Sequence, residues 1–552
     1  MRKFVLFILS FTIIFSCYSS RIIYASNEDY TLKSGELWFP EDSTVLKGDI
    51  TKIIFSNEYI ETGNEIYVFN CDIKNEGHIK GFINGTELTI ATVPCGNTIY
   101  ANEDSDGLFK SFYSLSTIEN FSMLNLSNVY SLSSWFWETG CNSNSINIDM
   151  SNLDFSNTHD FPSISSGIGQ SIDNGFICKN INFTLKDQIF NLYADSNFRP
   201  ICEGMPYTED NDLEINYNLS NDTFILKDNS YGFSALFSYG LLNCPSYRKK
   251  ITVDCSDWNV VNNNTDNIAI FDNALLSFPS FFDETIIDFS NMTISGTCNT
   301  SFEYFAGSME IFSSNLHIDL SNLNSENLVS VAHMFDYVRI QENNSNIFID
   351  LTNWNTPNLI DMSYMFNEFG SSMNYGTNDN INVVIDMTNF DTSNVSNMEN
   401  AFNFSNQIKY DNLTLKLPKK SGSVNNTSNR IYGKDESVFY EFPEEMNINL
   451  AYTNKITYHL GNGKFNNNDE EITYGDNGEI FYLNNDIISK DPNYKFVGWY
   501  LDEDFSGSSI TSLELLEDIE LWAKYEKIKE DIEHKDKSNN YIYKIPNTGI
   551  LY

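Results

Sequence analysis

Aliphatic and polar residues alternate along this chain in short bursts, and one burst keeps returning. It reads aliphatic, Asp or Asn, apolar, Ser or Thr, then usually Asn, as in Ile318, Asp319, Leu320, Ser321 and Asn322. A period of two is the mark of a β-strand with one buried face, so the aliphatics are expected inside and the acids outside. Nine copies begin at Leu124, Ile148, Ile181, Ile215, Val253, Ile287, Ile318, Ile349 and Ile385. Their second positions hold Asn125, Asp149, Asn182, Asn216, Asp254, Asp288, Asp319, Asp350 and Asp386, at intervals drifting from 24 to 38 residues. A fixed phrase with a drifting interval describes stacked units with variable loops. Sixteen residues after the second position, the last three copies place Phe335, Phe366 and Phe402, which should plug the core between turns.

A unit this short cannot bury its own apolar face and must stack on neighbours, which is the logic of a solenoid. The expected fold is therefore mostly β, a leucine-rich-repeat-like solenoid of stacked parallel strands over residues 98–420. Residues 27–97 carry strand-like runs without the phrase and are expected to cap its open end. Residues 421–454, rich in Ser, Asn, Gly and Pro, read as a linker. The Asn-, Ser- and Gly-rich inserts, such as residues 370–380, are either recognition loops or passive spacers.

Composition adds an address. Arg2 and Lys3 precede an apolar run from Phe4 to Cys17, and Tyr24, Ala25 and Ser26 offer a small-residue cleavage site. Residues 1–26 thus read as a secretory signal peptide. No later stretch reaches the roughly 18–20 apolar residues of a membrane-crossing helix. The net charge is −42, and without the leader 30 basic residues face 75 acidic ones, a balance of −45. Such a field disfavours nucleic acid and anionic lipid and favours solubility, cations or basic partner patches. Eight cysteines remain after the leader, Cys71, Cys95, Cys141, Cys178, Cys202, Cys244, Cys255 and Cys298. Disulfides and buried thiols are both open, whereas the absence of C-x-x-C spacing excludes zinc-ribbon and thioredoxin chemistry.

Catalytic motifs are missing. The six histidines are scattered without H-E-x-x-H spacing, Gly461 to Lys464 lacks a phosphate-loop pattern, and no G-x-S-x-G is present, so no enzyme is expected. The acids suggest a different role. With strands about 4.8 Å apart, Asp254, Asp288, Asp319, Asp350 and Asp386 would form a column in which neighbours repel by roughly 3 kcal/mol at an effective dielectric near 20. Hydroxyls such as Ser290, Ser321, Thr352 and Thr388 with backbone amides, bound Ca²⁺, or solvent would offset this. The column is the candidate ligand-facing ladder. Trp135, Trp137, Trp258 and Trp354, near the repeat turns, belong either to that surface or to the core.

Two stretches resemble known families. Residues 389–398 (N-F-D-T-S-N-V-S-N-M), with Met362 to Phe366 (M-S-Y-M-F), resemble BspA-type leucine-rich repeat surface proteins across residues 98–420. The resemblance implies a bacterial cell-surface adhesin that binds a host or matrix protein or glycan and has no catalytic residues. Within residues 455–526, the phrases I-T-Y-H-L-G-N-G (456–463), F-V-G-W-Y (496–500) and L-W-A-K-Y (521–525) resemble the internalin-type B-repeat. That implies a small β-grasp-like stalk domain, with Trp499, Tyr500 and Trp522 either in the core or forming a sugar-stacking platform. In the tail, 527–552, Ile545, Pro546, Asn547, Thr548 and Gly549 resemble a sortase motif, incomplete because only Ile550, Leu551 and Tyr552 follow it. The expected function is adhesion or recognition outside the cell, the alternative a structural stalk or cell-wall spacer without a ligand.

Overall fold

The computed structural model describes residues 27–528, apart from 41–45, 60, 159–160, 163, 166, 170–177, 195, 197, 200–212, 234–235, 238–247, 268, 276–281, 372–379, 407–409, 419, 422–423, 426–429, 444–447, 466–471, 477–478 and 516–518. The signal-like residues 1–26 and the pentapeptide 545–549 lie outside the described residues. The chain divides into two units, residues 1–452 and 453–552.

The first unit is built on a parallel sheet. Its strands include Ser145–Asp149, Asn180–Thr184, Glu214–Asn218, Arg248–Asp254, Phe282–Asp288, Asn315–Asp319, Asn346–Asp350, Ile381–Asp386 and Tyr410–Pro418, each hydrogen-bonded to the next. The result is a β-solenoid of about nine turns with almost no helix. The recurring phrase accounts for it, because the inward positions Ile215, Val253, Ile287, Ile318, Ile349 and Ile385 are all buried. A second parallel ladder follows the corner: Ile189–Leu192, Thr223–Leu226, Asn259–Asn262, Thr293–Gly296 and Asn324–Ser325.

The corner between the ladders explains the asparagine in the phrase. Asn291, Asn322, Asn353 and Asn389 have φ of 59°, 58°, 57° and 62°, a left-handed conformation that Asn tolerates better than most side chains. Their amides also ladder, Asn322 Nδ2 donating to Asn291 Oδ1 at 2.9 Å and Asn353 Nδ2 to Asn322 Oδ1 at 2.9 Å.

Pairing corrects the expected alignment at three copies. Asp149 lies opposite Thr184, which lies opposite Asn218, which lies opposite Asp254. Asn182 and Asn216 therefore sit two residues before the acid column, beside Asn147 and Thr252. A slip of two preserves the inside-outside alternation, so the hydrophobic pattern cannot detect it. Leu124–Asn125 is not on this sheet at all but pairs with Ile99–Tyr100 in a separate ladder.

Aromatic rings fill the interior. Phe335 and Phe366 stack with centroids 5.1 Å apart and Phe366 and Phe402 at 5.9 Å. At the N-terminal end the strands Tyr67–Asn70, Ile79–Asn84 and Glu87–Thr92 form an antiparallel meander, which joins the parallel run through Lys52–Ser56. At the other end, within the expected linker, the hairpin Arg430–Tyr432 with Phe439–Glu441 brings Ile431 and Phe442 into the solenoid core. Apolar residues at these two positions give the segment a packed role that its Ser/Asn/Gly composition conceals.

The second unit is small and all-β among its described residues. Tyr494–Tyr500 runs antiparallel to Ile519–Lys527, which pairs in parallel with the strand Ile448–His459. Trp499 is fully buried among Ile456, Tyr458, Leu460, Leu515 and Leu521. No helix among the described residues is long and apolar enough to cross a membrane.

Candidate functional site

The outward face of the main sheet carries three rows of side chains, because every second residue of each strand points out. The first row runs Glu284, Asn315, Asn346 and Asn382; the middle row Ile286, His317, Phe348 and Val384; the third Asp288, Asp319, Asp350 and Asp386. The first two rows line an outward-opening groove of about 550 Å³. Its middle row is apolar and aromatic, half-buried, and the His317 ring stacks on Phe348 at 4.9 Å.

The polar borders are built differently. In the first row Asn346 Nδ2 donates to Asn315 Oδ1, and Asn382 Nδ2 to Asn346 Oδ1, both at 3.1 Å. Lys250 meets Glu284 at 3.0 Å. In the third row each aspartate accepts, through Oδ1, the amide two residues on: Asp254 from Ser256 at 3.1 Å, Asp288 from Ser290 at 2.8 Å, Asp319 from Ser321 at 2.9 Å, Asp350 from Thr352 at 2.9 Å and Asp386 from Thr388 at 3.0 Å. These are Asx turns that end the strand. The Ser256 and Thr388 hydroxyls add bonds to Asp254 and Asp386 at 2.7 and 2.6 Å.

Charge in the column is only partly relieved. Burial holds the carboxyls of Asp288 and Asp350 above the usual range, their amide and hydroxyl donors from Ser290 and Thr352 pull back, and neighbouring aspartates push the same way as burial. At one end Lys416 neutralises Asp386 at 3.3 Å. The five aspartates predicted as the ligand-facing ladder are thus brought together, but as corner-forming groups one row beside the groove. Among the described residues, two sets of side chains could hold a metal ion, His317 with Asp319 and Asp350, and Asp29 with Glu76 and His78.

The tryptophans divide. Trp135, Trp258 and Trp354 are buried, Trp258 Nε1 donating to the Leu219 carbonyl at 2.6 Å and Trp354 Nε1 to that of Leu320 at 2.7 Å. Trp137 is half-buried. In the second unit Trp499 is core, while Tyr500 and Trp522 face each other across paired strands and are half-exposed. Cys71, Cys95, Cys141, Cys178 and Cys255 are free thiols, and burial pushes those of Cys141 and Cys178 up to about 11. Such thiols are poor nucleophiles.

Sequence reasoning missed the middle row. Its signal was available: Ile286, Phe348 and Val384 are apolar at outward positions two residues before the aspartate, where alternation calls for a polar side chain. Comparison with known protein families, with curated proteins and with solved structures found no match to this chain.

Proposed function

We propose that this is an exported bacterial surface or secreted protein that recognises a host or matrix protein or glycan through the outward face of its solenoid, a binding role rather than a catalytic one. The observation that carries this reading is the groove, because Ile286, Phe348 and Val384 are apolar where the sheet faces outward and their neighbours are polar. Apolar side chains gathered on an otherwise polar surface favour association. The acids beside it suit a partner segment that carries basic residues among apolar ones. The BspA-type resemblance gives the solenoid its adhesin role. The B-repeat resemblance, with Trp499 and Leu521 in the core of the second unit, supports a β-grasp-like spacer at residues 455–526.

A test is binding of the full chain to an extracellular-matrix preparation on a biosensor, with Ile286→Ser/Phe348→Ser as the variant. Anchors of this kind typically contribute 2 kcal/mol or more, so affinity should fall roughly thirty-fold with an unchanged melting curve. Equal binding by the variant would overturn the reading. The spacer alternative draws on the asparagine ladders, which commit one amide donor of Asn346 and of Asn382 to the neighbouring strand. It predicts no saturable binding to the matrix.

A further inference from the structure

One corner of the groove holds a donor set that neither the strand register nor a peptide partner requires. A ring nitrogen of His317 and one carboxylate oxygen each from Asp319 and Asp350 lie within 4.8 Å of one another. His317 and Asp319 are two residues apart on one strand, and Asp350 is the neighbour of Asp319 on the next. The Oδ1 atoms of both aspartates are held by the amides of Ser321 and Thr352, which fixes the carboxylates and leaves their second oxygens for a ligand. The imidazole is fixed as well, by its stack on Phe348. Its Nε2 is buried without a hydrogen-bond partner among the described residues, a costly state for a polar nitrogen.

The other three-donor set among the described residues supplies a contrast. There Asp29 is paired with the Lys74 ammonium at 2.5 Å, which also meets Glu28. That cluster has its cation built in. Among the described ion pairs, the cations nearest in register to the His317 corner are spent, Lys250 on Glu284 and Lys416 on Asp386.

We propose that His317, Asp319 and Asp350 form a binding site for a divalent transition-metal ion, for which Zn²⁺ is the probe. Zinc takes imidazole nitrogen and carboxylate oxygen at about 2.0–2.2 Å, so the three donors need only draw together within their rotamers. The nitrogen donor selects against Ca²⁺, which prefers an all-oxygen shell. Three protein donors leave a fourth position, on the groove side, for water or for a carboxylate oxygen of a bound partner. The site stands whether or not a macromolecule occupies the groove.

The experiment measures Zn²⁺ retained by the full chain after equilibrium dialysis, in a His78→Gln background that disables the other set. His317→Phe and Asp350→Asn are the variants. Both have precedents in this chain, since the next strand carries Phe348 in the His317 row, and Asn218 makes the same turn with Ser220 N at 3.2 Å. The parent should hold one equivalent, and each variant should bind at least roughly ten-fold more weakly with an unchanged melting curve in the absence of metal. Excess Ca²⁺ should leave the Zn²⁺ in place, and Co²⁺ should give a visible absorption band that His317→Phe abolishes. Equal retention by parent and variants, or displacement by Ca²⁺, would overturn the proposal.

Discussion

The inside and outside of the same coils use the same two kinds of side chain to opposite ends. Inside, Phe335, Phe366 and Phe402 form a column of rings with every face covered, and Asp222 is a buried carboxyl. Outside, His317 and Phe348 stack but stay half-exposed, and Asp319 and Asp350 keep one oxygen uncommitted. The interior rings hold coil to coil. The exterior rings add little to that and leave a surface on the outward face of the main strands.

The comparison breaks first if the inner rings are dispensable. Phe366→Ala should cost about 3–5 kcal/mol, read as a lowered midpoint in urea, because Phe335 and Phe402 cannot close the gap from both sides. A change below ~1 kcal/mol would mean the coils slide to refill it.

The carboxyls sharpen it next. Burial pushes Asp222 up to about 9, against a bond from the Gln188 amide. The folded state thus keeps a proton that the unfolded chain releases near pH 4. Its contribution to stability is complete below that pH and is lost as pH climbs towards about 9. Asp222→Asn should therefore gain ~1–3 kcal/mol at pH 8 and nothing at pH 4, as urea melts at the two pH values will report. Asp288 shifts in the same direction, so Asp288→Asn should show the same sign with a smaller gain.

A third change tests the seam between the ladders. Trp354→Phe keeps the ring against Phe390, 4.8 Å away, but deletes the Nε1 bond to Leu320. A loss of ~1 kcal/mol is expected, measured as a shift in thermal midpoint. The smallest effect belongs outside: Phe348→Ser should alter stability by less than ~1 kcal/mol while weakening ligand binding. An outer substitution as damaging as Phe366→Ala would erase the distinction.

Much of this architecture was legible because alternation is a local property. The Ile-Asp-x-Ser-Asn phrase located most of the main strands, and its Asn at 291, 322, 353 and 389 marks a left-handed corner. The register failed at Asn182 and Asn216, where a two-residue slip leaves the pattern intact. The groove was hidden for a related reason. Phe348 looks like one more apolar residue in a strand until the sheet shows which way it points and that Ile286 and Val384 lie in its row. The acid column was foreseen, but its use in Asx turns depends on a backbone amide that composition does not reveal.

By itself the sequence determined that this chain winds into stacked β coils, since a period-two pattern recurring at intervals near one coil has no other way to bury its aliphatic face. Only the tertiary structure decided which outward side chains share a row. Residues some thirty positions apart become neighbours only through strand pairing, and the groove and the His317 corner exist only at that level.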